Sequence, residues 1–222
     1  VLLYFASRWG SSAGLSVGVL AILWGLILIS AVKAISAFLQ ETSLGAKYSL
    51  RQLTADYTTR DIMVMAALVA VGGIAKGYWG RIRMILEPLG PFSSLIIAPG
   101  FYLWGVLGAY LIRKPLSGTI SMVLGGIVEI LIGNPYGLPV LLFNFWEGLG
   151  PDLGYTIRGK YTYGGAILGC LLGSAFGIFY SGFTAGFQFL DSRLLLLQRI
   201  IGFAGAALGG ILGQWIAGRL EK

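Results

Sequence analysis

The sequence predicts an all-α integral membrane protein, and three observations carry that prediction: long apolar runs, few charges and an excess of glycine. Of 222 residues, 56% are hydrophobic and only 11% charged, against roughly a quarter charged in soluble domains. Glycine, 35 of 222 residues, is at about twice its usual share, which suits helices that pack backbone to backbone in lipid. A transmembrane β-barrel needs segments of about ten residues with alternating hydrophobicity. The runs here are longer and continuously apolar.

Composition also excludes chemistry. The chain has no histidine and one cysteine, Cys170, inside an apolar run. Internal disulfides, zinc sites, catalytic triads and histidine proton shuttles therefore fall away, and no metal or other cofactor is expected. The net charge of +7 does not point to nucleic acid, because the basic residues sit at the ends of apolar runs. That placement is the pattern of membrane topology.

In chain order, Leu15 to Leu39 is long enough for the ~20 residues a bilayer requires. It reads as an extra N-terminal transmembrane helix, with a signal anchor as the plainer alternative. Residues 40–59 are polar and form a linker, so the chain divides into 1–56, the extra helix and its linker, and 57–222, a six-helix membrane domain. Thr58 or Thr59 caps the next helix, with Asp61 in its first turn where the helix dipole favours an anion. Asp61 to Trp79 is the following span, and Ala66, Ala70 and Gly73 or Gly77 give it a small-residue ridge. Gly80 to Pro91 reads as a structured or interfacial loop. Phe92 to Ile112 is a span in which Pro99-Gly100 predicts a kink.

Two apolar spans, Pro115 to Ile132 and Tyr136 to Leu153, are joined by the tight Gly133-Asn134-Pro135-Tyr136-Gly137 turn. Tyr163 to Phe187 carries Gly165, Gly169, Gly173 and Gly177 at steps of four, and Arg193 to Ala217 carries Gly205, Gly209 and Gly213. These last two are expected to pack against each other or the bundle along their glycine faces. Over seven spans, Lys47, Arg51, Arg60, Arg113, Lys114, Arg158, Lys160, Arg219 and Lys222 fall on one side. The positive-inside rule makes that side, and with it the C-terminus, cytoplasmic in a multi-pass cell-membrane protein.

The candidate site lies around the turn. A carboxylate in hydrocarbon is rare, and where it persists it faces a cavity, a partner or a ligand. Glu129 sits roughly 7 Å inside its helix end, at 1.5 Å per residue. Asn144 and Glu147, three apart, share a face, with Glu147 about 15 Å in. The alternative for each carboxylate is satisfaction by a basic residue or backbone group of the bundle. Trp79, Trp104, Trp146, Tyr102 and Tyr136 offer faces for a flat ring or a cation; aromatics near span ends also serve as interfacial anchors. Trp146 and Tyr136 are favoured as contacts by their polar neighbours. Glu87 has a place only as a lid residue.

Thr58-Thr59-Arg60-Asp61-Ile62, Ile112-Arg113-Lys114-Pro115, Glu129 followed by Gly133-Asn134-Pro135-Tyr136-Gly137-Leu138, and Glu147-Gly148-Leu149-Gly150 together resemble the YkoE family. Those are substrate-binding (S) components of energy-coupling-factor (ECF) transporters for thiamine or its hydroxymethylpyrimidine precursor. The resemblance covers roughly Tyr57 to Lys222, and the extra first helix departs from it. It implies a six-helix S-component core, capture of a vitamin from outside, and partnership with a transmembrane coupling (T) subunit and two ATPase subunits. Ala66 and Ala70 match the Ala-x-x-x-Ala docking motif of many S components.

The expected function is thus a substrate-binding subunit rather than an enzyme. Glu129 is the main electrostatic anchor for a thiamine-like cation and Glu147 the second. Asn134 and Asn144 are hydrogen-bonding groups, and Tyr136 and Trp146 stacking surfaces. No GxxxxGK[ST] motif is present, so ATP energy has to come from partners. A proton- or ion-coupled carrier working alone, with Glu129 and Glu147 as its titrating pair, is the competing expectation.

Overall fold

A computed structural model describes residues 57–184 and 192–221. The predicted first helix, Leu15 to Leu39, and its linker lie outside the described residues, as do the last residues of the predicted Tyr163 to Phe187 span. By internal contacts the chain divides into Val1–Tyr57 and Thr58–Lys222, and the helices below all belong to the second unit.

Those helices are α1 (Thr59–Leu86), α2 (Ser93–Ile112), α3 (Ser117–Leu131), α4 (Val140–Arg158), α5 (Tyr163–Thr184) and α6 (Ser192–Leu220), with a 3₁₀ segment Glu87–Phe92 between α1 and α2. No strand occurs among the described residues, as the apolar runs predict. α1, α6 and the Leu95–Ile112 part of α2 are long and apolar enough to cross a membrane, while α3 and Tyr163–Gly177 of α5 are shorter apolar helices. α1 begins with a reciprocal cap: Asp61 N–H donates to Thr58 Oγ1 at 3.2 Å, and Thr58 N–H to Asp61 Oδ2 at 2.9 Å. Two of the orphan donors at the helix start are met in this way.

Two boundaries differ from expectation. Gly80 to Pro91 is not a loop up to Leu86, because α1 continues to that residue. Two arginines in that stretch, Arg81 and Arg83, find partners beside the helix. Arg81 Nη2 donates to Ile132 O at 2.9 Å, and the Arg83 guanidinium lies 5.1 Å from the centre of the Tyr136 ring. The helix expected from Tyr136 begins at Val140, since residues 132–139 are spent on the turn. Gly133 and Gly137 have φ of +85° and +62°, a backbone region that only glycine enters at little cost.

Glycine decides the packing. A Cβ on Gly150 or Gly154 of α4 would lie 2.3 Å from Gly169 O or Gly165 O of α5, so these two helices touch through their backbones. The α5 glycine face therefore meets α4. On α6, a Cβ at Gly209 would lie 2.8 Å from Tyr102 Cβ, and one at Gly213 2.8 Å from Val106 Cβ. That face meets α2, and Gly210 approaches Ala166 O of α5. α2 is the hub, packed on α1, α3, α4 and α6, and it runs through Pro99 without interruption.

Candidate functional site

The site is assembled where α1, α3, α4 and the Asn134 turn converge. α1 presents Gly72, Gly73, Lys76, Gly77 and Gly80 as its buried face. A Cβ at Gly73 would lie 2.6 Å from Val128 Cβ, one at Gly77 2.3 Å from Ile132 Cδ1, and one at Gly80 2.8 Å from Asn134 Nδ2. These missing side chains bring α3 and the turn against α1, with the Lys76 side chain enclosed between them.

Lys76, Glu129 and Asn144 are each only 1% exposed. Lys76 Nζ lies 3.6 Å from Glu129 Oε2 and donates to Asn144 Oδ1, with Met122 Sδ 3.7 Å away. Asn144 Nδ2 donates to Glu129 Oε2 at 3.0 Å and to Val140 O at 2.9 Å. The other carboxylate oxygen of Glu129 accepts from Asn134 Nδ2, and Asn134 Oδ1 in turn accepts from Tyr136 N–H at 2.8 Å. Both oxygens of Glu129 are thus occupied, one by an asparagine and the other by an asparagine and an ammonium. Such partnering is what a buried ion requires.

Glu147 differs. It is buried on α4, yet its Oε2 has no hydrogen-bond partner. Its own backbone is pressed against α2, where a Cβ on Gly105 would lie 2.5 Å from Glu147 O, and the next residue, Gly148, abuts Gly118 and Thr119 of α3. The carboxylate lies within electrostatic reach of Lys76, Glu129 and Arg83. Beside the cluster a narrow pocket is lined by Leu68, Gly72, Gly73, Lys76, Trp104, Ser121, Met122 and Gly125. It has room for about one water molecule. Ser121 Oγ, on this lining, also lacks a hydrogen-bond partner.

Of the residues singled out from sequence, the fold brings Glu129, Asn134 and Asn144 into one network, places Tyr136 at its rim under Arg83, and sets Glu147 next to it. Trp146 stacks on Phe176 of α5, with ring centres 4.5 Å apart and planes at 18°. Trp79 packs on Gly100 of α2 and donates to Ile97 O at 2.9 Å. The Glu87 side chain lies outside those described. Ala66 and Ala70 are exposed on the outer face of α1. Sequence reasoning missed Lys76. Its signal was a lone lysine in mid-span with glycines at Gly72, Gly73, Gly77 and Gly80, which place small residues all along its face of the helix.

The fold is shared with a known class. A crystal structure of an S-component of an ECF transporter matches the fold with a TM-score of 0.69 at 25% identity, over 74% of this chain and 86% of that one. Fold and buried polar core therefore define a membrane transport component rather than an enzyme. More particularly, the family model described as "ABC-type cobalt transport system, permease component" matches residues 60–179, and the chain belongs to that family. The "Putative HMP/thiamine permease protein YkoE" of Bacillus subtilis (strain 168) is 26% identical over 170 residues, 74% of this chain and 84% of that protein.

Proposed function

We propose that this chain is the substrate-binding subunit of an ECF-type uptake transporter, and that it captures thiamine or a related aminopyrimidine from outside the cell. The observation that carries this is the buried cluster of Lys76, Glu129, Asn134, Asn144 and Glu147. It sets the Glu147 carboxylate, with one oxygen unpartnered, beside the Lys76–Glu129 pair for a cation, and adds two carboxamides for ring nitrogens, with Tyr136 as a flat neighbour. The similarity to an ECF S-component and to an HMP/thiamine permease points the same way. The cobalt of the family description suits this donor set less well: an ammonium stands among the carboxylates, and among the described residues no three of His, Cys, Asp and Glu come together. Transition ions favour imidazole and thiolate ligands.

Orientation follows from the charges. Arg113 bonds to Glu221 and lies over Tyr161, so the α2–α3 corner, the α4–α5 corner and the C-terminus form one end of the bundle. That end holds Arg113, Lys114, Arg158, Lys160 and Arg219 and is cytoplasmic by the positive-inside rule. The Asn134 turn then faces outward, and solute reaches the cluster from that side. Ala66 and Ala70 are the docking contact for the T subunit, whose two ATPase partners supply the energy.

The test is calorimetric titration of the purified protein with thiamine and with its hydroxymethylpyrimidine. Binding of at least one is expected, with Glu129→Gln weakening it by more than about tenfold, ~1.4 kcal/mol, and Glu87→Gln leaving it unchanged. No binding of either compound, or equal effects of the two substitutions, sinks the reading.

A further inference from the structure

The cluster contains an imbalance. Two carboxylates, Glu129 and Glu147, are buried with one ammonium, Lys76, giving a formal charge of −1. Lys76 spends its charge on Glu129, at 3.6 Å, and the hydrogen bonds from Asn134 and Asn144 complete that carboxylate's shell. Glu147 has no such contact: its Oε2 is buried without a partner, and Lys76 and Arg83 act on it only at longer range than the Lys76–Glu129 pair. In a medium of low dielectric an uncompensated carboxylate is costly, whereas one already paired has little to gain from a second cation.

We infer that Lys76 is a specificity-determining positioning residue: by neutralising Glu129 it leaves Glu147 as the single open carboxylate, and so sets the site to take one positive charge. This rests on the solute-binding reading above and reverses the ranking of the two carboxylates drawn from sequence. Glu129 holds Lys76, Asn134 and Asn144 in place, while Glu147 meets the cationic part of the solute. The enclosing glycines support the assignment. Gly73, Gly77 and Gly80 draw α3 and the turn so close that the ammonium is confined beside Glu129. Removing the carboxylate from Glu129 leaves Lys76 free to neutralise Glu147, and cation binding is lost indirectly.

A charge-balanced pair of substitutions tests this. Affinities for thiamine, a permanent cation, and for the uncharged hydroxymethylpyrimidine are measured in wild type, Glu129→Gln, Glu147→Gln and the double variant Lys76→Met with Glu129→Gln. The thiamine-to-pyrimidine affinity ratio is expected to fall at least about tenfold in both single variants and to return to within about threefold of wild type in the double variant. A double variant as poor as Glu129→Gln would show Glu129 to be the cation's own anchor and overturn the inference. Thermal unfolding of the ligand-free proteins gives a second readout. Lys76→Met and Glu129→Gln should each lower Tm, and the double variant should recover at least half of the summed loss; additive losses overturn the pairing. Failure of the wild type to bind either compound would instead refute the proposed function, and the Tm cycle alone would then decide the role of Lys76.

Discussion

Lys76 on α1 and Glu129 on α3 form a buried ion pair at 3.6 Å, with side chains 1% and 2% exposed, whereas most other charges among the described residues lie near helix ends. Gly125 lies one turn from Glu129 on the same helix and lines the adjoining pocket. A Cβ there meets nothing closer than 3.8 Å, and one of the atoms at that distance is Lys76 Nζ. Gly125→Ala should therefore fold normally, with Tm within about 2 °C of wild type, yet fill the pocket beside the ammonium and weaken solute binding. Gly73→Ala, whose Cβ would lie 2.7 Å from Gly125 O, should instead cost about 1–3 kcal/mol through overpacking. Equal effects of the two on Tm would contradict this account of the α1–α3 contact.

The α4–α5 interface makes a stronger demand. Gly154 faces Gly165 O, Gly169 N and Gly169 Cα at 2.3–2.5 Å from a notional Cβ, all of them backbone atoms that cannot rotate away. Gly154→Ala is expected to separate the helices and lower stability by at least about 2 kcal/mol, measured by unfolding in detergent. Gly218→Ala is the control, since a Cβ there meets nothing within 4 Å.

The all-α class, the turn at Gly133 and Gly137, the Thr58 cap and the glycine faces were legible in the sequence because each is a local property of spacing and residue type. The choice of partners was not. The glycines on α5 state that a helix comes close but not that it is α4. Lys76 and Glu129 are paired across 53 positions, with no periodicity linking them. The end of α1 was not legible for a related reason. Nothing in the sequence states that Ile132 O and the Tyr136 ring wait beside Arg81 and Arg83.

At the opposite end of the bundle, Glu221 accepts from Tyr110 Oη at 2.7 Å and from Arg113 Nη2 at 2.6 Å. The Tyr110 hydrogen bond, and then the Arg113 charge, hold its carboxyl below the usual glutamate value of 4.5. A carboxyl whose pKa is lower folded than unfolded stabilises above the unfolded value and loses that contribution as pH falls through the folded one. The Tm difference between wild type and Glu221→Gln should therefore be present at pH 7 and vanish below the ordinary glutamate range. The effect is small, as for other exposed ion pairs. A difference that persisted or grew in acid would rule out this tie between the C-terminus and the α2–α3 corner.

Asp152, on α4, closes the N-terminus of α3. Its Oδ1 accepts from Gly118 N–H at 3.0 Å, and its Oδ2 from Thr119 N–H at 2.8 Å and Thr119 Oγ1 at 2.7 Å. Leu116, which precedes the helix, supplies no side-chain cap, so a neighbouring helix performs the service usually given by the chain itself. Asp152→Ala should cost about 2 kcal/mol, the upper end for a lost cap, and Thr119→Val about 1 kcal/mol for the hydroxyl bond alone. The same cap fixes the register of α3 against α4, and that register carries Asn144 Nδ2 to Glu129 Oε2. Asp152→Ala is therefore expected to weaken solute binding as well as stability, although it lies two turns from Asn144. A variant that loses stability but keeps full affinity would show that the α3–α4 register is held by Gly126 and Gly148 alone.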